Sequence, residues 1–258
     1  MKTWSQPGPI ALAAVMPDRP SLYLFCGDSH ARQLRTERPG AFTHAIFSGA
    51  SIKGLVNDQP DKVHGQVIRH YARAPVIKAL FLMFGSVDVD FSFYRKLALE
   101  GLFDVDAWID ERVDAYNSLI GDLIQASADG DGFSTITVLA PQPSPLDDAN
   151  FFKIMPAHTK VSEGEFRACE AHSDLGRVAR NRRTVYFNDR LEAGLVEHPL
   201  VKLYRIDRDM LDVDGNFIER FLPELPDEHH AKTMETRQLW FKRLKADVPT
   251  LAFMIDSI

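Results

Sequence analysis

The chain has 258 residues, 45% of them hydrophobic and 26% charged, with a formal net charge of −6 and a pI near 5.8. These values suit one soluble globular domain with a sizeable core, and they exclude the basic footprint of a nucleic-acid-binding protein. Two cysteines, Cys26 and Cys169, give neither a disulfide framework nor metal-ligand spacing and are read as buried thiols in a reducing compartment.

Residues 1–20 contain four prolines and read as an extended arm, followed by a single domain over residues 21–258. The apolar run from Ile10 to Met16 is short for a signal peptide, its flank carries one lysine, and cleavage would fall against the first core strand. No stretch approaches the length that spans a bilayer, so a cytoplasmic protein without a membrane partner is expected. Residues 21–26 form an apolar strand that turns through Gly27-Asp28-Ser29-His30 into the helix formers Ala31 to Arg35. Arg38-Pro39-Gly40 breaks that helix, and residues 43–48 make a second strand ending at Gly49. Over residues 61–74, Val63, Val67 and Tyr71 fall on one helical face, which Pro75 closes.

Residues 76–84, the most apolar run, predict the central strand, which ends at Gly85. Phe91, Phe93 and Tyr94 follow and are read as core rather than as a cover for the sheet edge. Asp104 or Asp106 can cap the next helix, whose buried stripe is Tyr116, Leu119, Ile120, Leu123 and Ile124 and whose end is Asp129-Gly130-Asp131-Gly132. Residues 134–140 give a fourth strand. The proline-rich segment 141–160 lacks periodicity and reads as a long loop that shapes a pocket. A capping box at Ser162 and Glu165 opens a helical region running to about Val196 and broken near Asn181, with Arg177, Arg180, Arg182 and Arg183 as its solvated face. A fifth strand covers residues 201–207. Asp212 to Asn216 form a turn rather than a calcium loop, since the ligand run to a terminal glutamate is absent. Residues 233–246 give a final helix with Leu239, Trp240, Phe241 and Leu244 for the core. Strands alternating with helices predict a three-layer α/β/α domain with a mainly parallel five-stranded sheet.

A strand that turns sharply into a helix exposes its turn residue at the carboxyl edge of the sheet, where ligands bind in open α/β folds. Ser29 therefore has the placement of a nucleophile, while the plain alternative is an N-cap role for Asp28 or Ser29. A serine needs a base, usually histidine, oriented by a carboxylate. Asp227-Glu228-His229-His230, before the last helix, offers both; alone it would read as a polar turn capped by Asp227. The remaining histidines are scattered without metal-ligand spacing, and neither G-x-G-x-x-G nor a P-loop supports nucleotide binding.

The motif Gly27-Asp28-Ser29-His30, the segment from Phe47 to Gly54, Phe84-Gly85-Ser86-Val87-Asp88 and the D-x-x-H spacing of Asp227 and His230 together resemble the four blocks of the SGNH (GDSL-like) hydrolases, in order, from Gly27 to His230. Val87 departs from the pattern, which has asparagine there. The resemblance implies a flavodoxin-like strand order and a triad of Ser29, His230 and Asp227. His229 competes as the base, and the spacing selects His230. It also implies oxyanion donors at the Ser29 and Gly49 backbone, with Ser86 or the 141–160 segment in place of the missing asparagine. Asp88 is expected to brace the loops and, with His30 and His229, to border the substrate. No metal and no cofactor are expected. The implied activity is that of a serine esterase on a short, acetyl-type O-ester of a small molecule or carbohydrate. The alternatives are an O-acyltransferase, or a non-catalytic carbohydrate-binding or regulatory module, which Val87 favours.

Overall fold

The computed structural model describes residues 22–35, 42–57, 63–128, 133–171, 173–246 and 248. The proposed arm at 1–20, the break at Arg38-Pro39-Gly40 and the helix end at Asp129 to Gly132 lie outside the described residues. Five strands, β1 (Leu22–Gly27), β2 (Phe42–Ile46), β3 (Ile77–Met83), β4 (Thr135–Leu139) and β5 (Val201–Tyr204), form one sheet in the order β2-β1-β3-β4-β5. Every pairing in it is parallel. The helices are α1 (Ile52–Leu55), α2 (His64–Ala72), α3 (Phe93–Glu100), α4 (Val105–Ala128), α5 (Asp148–Thr159), α6 (Glu163–Cys169), α7 (Arg177–Gly194) and α8 (Thr233–Leu244). Short 3-10 turns accompany them at Ser29–Leu34, Asp207–Met210 and Glu219–Phe221.

The two-residue alternation of a strand builds both layers of core from one apolar run. Leu22, Leu24 and Cys26 of β1, with Leu80 and Leu82 of β3, face the helices α1 to α7. Phe25, Phe81 and Met83 face the other way, toward Trp240, Phe241 and Leu244 of α8. Phe25 stacks on Phe81 at 4.3 Å between ring centroids. On the first face the long helix α4 buries Tyr116, Leu119, Ile120 and Leu123. The one polar group in that stripe is satisfied, since Tyr116 donates from its hydroxyl to Leu82 O at 3.2 Å.

Three expectations are corrected. The segment after β4 is not a loop throughout: Asp147 caps α5, which runs through Pro156 and buries Phe151, Phe152 and Met155. Burial of those side chains outweighs the hydrogen bond lost at the proline. The break in the later helical region falls between Cys169 and Arg177, and α7 passes through Asn181, whose side chain donates to Gly215 O at 3.1 Å. Of the four arginines of α7 expected on a solvated face, Arg182 is exposed but Arg180 is not. Arg180 is 3% exposed, lies over the Phe151 ring, and donates to Asp148 and to the Leu146 carbonyl.

One close approach sets the geometry of the first turn. A methyl group at Gly27 would stand 2.5 Å from both Met83 O and Ala31 Cβ. Gly27→Ala is therefore expected to destabilise the fold by about 1–3 kcal/mol. Thermal unfolding reads this as a lower midpoint, and an unchanged midpoint would contradict the contact.

Candidate active site

The parallel sheet brings three loops to one edge. β1 lies between β2 and β3, and its carboxyl end is tied to both exits: Asp28 N donates to Met83 O at 3.0 Å, and Phe47 N donates to Gly27 O at 2.8 Å. Ser29 thus stands between the loop after β2 and the loop after β3, at the point where the strand order reverses. Asp28, fully buried, caps the Ser29–Leu34 turn by accepting from His30 N at 2.9 Å. With Asp28 turned inward as the cap, the serine is free to face the groove.

The residues from Leu225 to His230 close the other side. His230 Nε2 lies 2.9 Å from Ser29 Oγ, and His230 Nδ1 lies 2.6 Å from Glu228 Oε1. The carboxylate only accepts, so the proton sits on Nδ1 and leaves the Nε2 lone pair toward the serine hydroxyl. Glu228 Oε1 also accepts from His230 N at 3.0 Å, so one oxygen fixes both the backbone and the ring of the base. Asp227 is not brought to His230. Its carboxylate pairs with Lys153 at 3.0 Å on the surface. The reason is reach, because the glutamate arm folds back over two residues to the ring. Two carboxylates in consecutive positions left this choice to the imported D-x-x-H spacing, which selects Asp227, whereas the carboxylate at the His230 ring is that of Glu228.

The other predicted residues separate by burial. The ring at Ser29 is that of His230, not His229, whose own ring lies tilted against His230 at 3.9 Å between centroids and edge-on to Phe91 and His158, at 5.5 and 5.2 Å. Sequence reasoning missed His158, because it lies on the unexpected helix α5. Phe93 and Tyr94 are core, as expected, whereas Phe91 is only partly buried and stacks on His158. Asp88 does not border the substrate. It is fully buried, accepts from Ile52 N at 2.7 Å and faces Arg112 at 3.3 Å. It braces the loop that carries Gly49, and its carboxylate is directed to Ile52 N and Arg112. His30 is likewise enclosed, at 2% exposure, behind the base rather than beside the groove. Gly49 is exposed with φ of +79°, a backbone conformation that disfavours any side chain. Ser86 is buried, and its Oγ has no hydrogen-bond partner among the described residues. Val87 is partly exposed at the start of the helical segment after β3.

The electrostatics favour a neutral base. Burial, followed by the charge of His30, lowers the His230 pKa to about 4 against the pull of Glu228. Burial and the neighbouring His230 lower His229 to about 3. Burial tends to raise Glu228, but the His230 N–H groups and charge outweigh it and hold the carboxyl below its ordinary value. Glu228, His229 and His230 also bring ligand atoms within 4.8 Å of one another, but Glu228 and His230 are engaged with each other and we assign no ion to them. A groove of about 470 Å³ opens over Ser29 and His230, walled by Arg32, Pro223, Leu225 and Met234. Among the described residues no helix is long and apolar enough to cross a membrane.

The sequence matches no protein-family model and no curated protein sequence. Solved structures do match. A Streptococcus pneumonia protein whose description refers to platelet activating factor superposes with a TM-score of 0.58 at 13% identity, covering 92% of this chain and 87% of that one. A native aryl esterase of M. Smegmatis matches at a TM-score of 0.39 and 13% identity, over 90% of this chain and 100% of its own. A carbohydrate acetylesterase family member from Sinorhizobium meliloti matches at 0.40 and 12%, over 89% and 98%. The likeness to the first of these shows a shared α/β fold, a parallel sheet with helices on both faces. At such identity the likeness speaks to the fold alone.

Proposed function

We propose that this chain is a serine esterase that cleaves a short, acetyl-type O-ester, with a carbohydrate ester as a suitable substrate. The observation that carries the reading is the relay from Ser29 Oγ through His230 to Glu228, at 2.9 and 2.6 Å. As Ser29 Oγ attacks the acyl carbon, its proton passes to His230 Nε2, and Glu228 stabilises the imidazolium. The same proton goes to the leaving alkoxide, which departs as the free alcohol and leaves the acyl group on Ser29. Water then attacks this ester, giving its proton to His230, and the carboxylic acid leaves as Ser29 regains its hydrogen. A sugar hydroxyl in place of that water would make the protein an O-acyltransferase. The exposed groove and short acyl chemistry suit either acceptor, and a cytoplasmic setting completes the reading.

Labelling with a fluorophosphonate probe tests it. Stoichiometric modification, mapped to Ser29, is expected. A folded protein that does not react would overturn the proposal in favour of a binding module.

The oxyanion donors we propose are the backbone N–H groups of Ser29 and Gly49 with the Ser86 hydroxyl. The Val87 side chain offers no donor, whereas Ser86 Oγ is buried with no partner among the described residues to compete for it. In the segment after β4, the buried amide of Gln142 donates to Gln33 at 2.9 Å. Ser86→Ala is thus expected to lower kcat by about tenfold or more, with KM less affected, because an oxyanion donor acts mainly in the transition state. Val87→Asn should gain less than about twofold on the same ground. A large gain at position 87 with no loss at 86 would move the third donor to the family's usual place.

A further inference from the structure

A buried group of charges behind the base takes no part in the relay. The His30 ring meets the His230 ring at 4.5 Å between centroids. Its Nδ1 lies 3.3 Å from Asp28 Oδ1, and its Nε2 lies 4.0 Å from Asp90 Oδ2. Asp28 is fully buried and Asp90 is 7% exposed, and the second oxygen of Asp28, like Asp90 Oδ2, has no hydrogen-bond partner among the described residues. Two enclosed carboxyl groups short of donors need a cation, and the ring between them is placed to be one. Further groups face the cluster from every side. Glu228 and His229 approach from the loop of the base, Arg180 faces Asp90 from α7, and His158 of α5 meets His229.

We propose that His30 is a positioning residue for the base: an enclosed imidazolium between Asp28 and Asp90 that keeps the neighbouring His230 ring neutral and so sets the acid limit of activity. The proposal rests on the reading of His230 as the general base. Burial works against a charged His30, but hydrogen bonding and charge from Asp28, with Asp90 and Glu228, outweigh it and hold its pKa above the ordinary imidazole value. Asp90 is itself pushed up to about 7 by burial, with His30 and Arg180 opposing that rise and Asp28 adding to it. The sign follows from like-charge repulsion: a cation beside His230 disfavours its protonated form, so the base stays competent as pH falls. The same repulsion opposes the imidazolium formed during catalysis, so acid tolerance is gained at the expense of rate near neutrality.

The experiment compares wild type, His30→Gln and Asp90→Asn. Ring-nitrogen NMR titration follows each histidine in the substrate-free protein, and kcat/KM for p-nitrophenyl acetate is followed against pH. In His30→Gln the His230 midpoint and the acid limb of kcat/KM should both rise by about one unit or more, while kcat at neutral pH rises about threefold. Asp90→Asn keeps the ring but removes a carboxyl that is charged above about pH 7, so the His30 midpoint should fall, while that of His230, which titrates where Asp90 is already neutral and His30 still charged, should stay in place. A His230 midpoint that stays within about 0.3 unit in folded His30→Gln would overturn the proposal, as would a wild-type His30 that is neutral at pH 6. If His30→Gln does not fold, Asp90→Asn decides alone, and an unmoved His30 midpoint there overturns it. The NMR arm needs no turnover. A protein whose His230 midpoint responds but which cleaves no ester refutes the esterase reading; an active esterase with an unresponsive midpoint refutes the role of His30.

Discussion

Ser29→Ala and His230→Ala should each remove nearly all hydrolysis of p-nitrophenyl acetate, by about 10³-fold or more in kcat, and the double variant should be no worse than either single one. The two side chains act as one unit, and a hydroxyl whose base is gone gains nothing from its remaining surroundings. What survives would come from substrate binding and the oxyanion donors. Neither change should cost much stability. Both side chains are only partly buried at the groove, and the 2.9 Å bond between them joins two groups that water can also satisfy. The unfolding midpoint therefore checks that lost rate is lost chemistry. Activity retained in Ser29→Ala would show that another nucleophile is responsible.

Much of this arrangement is legible in the sequence because it follows from strand periodicity and from the parallel sheet. Each apolar run ending in glycine, at Gly27, Gly49 and Gly85, closes a strand at the same edge. Such a sheet must then gather the turns after β1, β2 and β3, however far apart they lie along the chain. The partner of Ser29 comes from 201 residues away, and a short motif before the last helix was enough to find it.

What was hidden depends on tertiary contacts that carry no period. The prolines from Pro141 to Pro145 and Pro156 made α5 look like loop, yet Phe151, Phe152 and Met155 have a core to enter, and their burial forms the helix. His158 and its contacts with Phe91 and His229 were invisible for the same reason. Arg180 looked like surface because charge usually is. Here its guanidinium lies over the Phe151 ring while Asp148 and backbone carbonyls accept its N–H groups, an arrangement that no local pattern encodes. His30 differs again. The sequence places it beside the nucleophile, but its role depends on which way the turn faces and on an aspartate 60 positions later, Asp90.

Glu228→Gln should lower kcat by at least about a hundredfold, whereas Asp227→Asn should leave it within about twofold. A carboxylate behind the base holds the tautomer in which Nε2 can accept the serine proton, and it stabilises the imidazolium. Loss of that charge in a well-enclosed triad costs up to about 10⁴-fold. Glu228 has a side chain 42% exposed, so water shares part of its work and the expected loss lies below that ceiling. An amide at position 228 can present its own N–H to Nδ1 and favour the wrong tautomer, which adds to the loss of charge. Among the described residues Asp227 pairs with Lys153, in a surface pair where both groups are about half-exposed or more, worth about 0–1 kcal/mol. Glu228→Asp separates charge from reach. It keeps the carboxylate but shortens the arm that folds back over two residues, so it should recover only part of the rate. Steady-state kinetics on the three variants decides the assignment. A large loss in Asp227→Asn with Glu228→Gln near wild type would return the acid to position 227. Loss in neither would mean that the ring of His230 is held without help from a carboxylate.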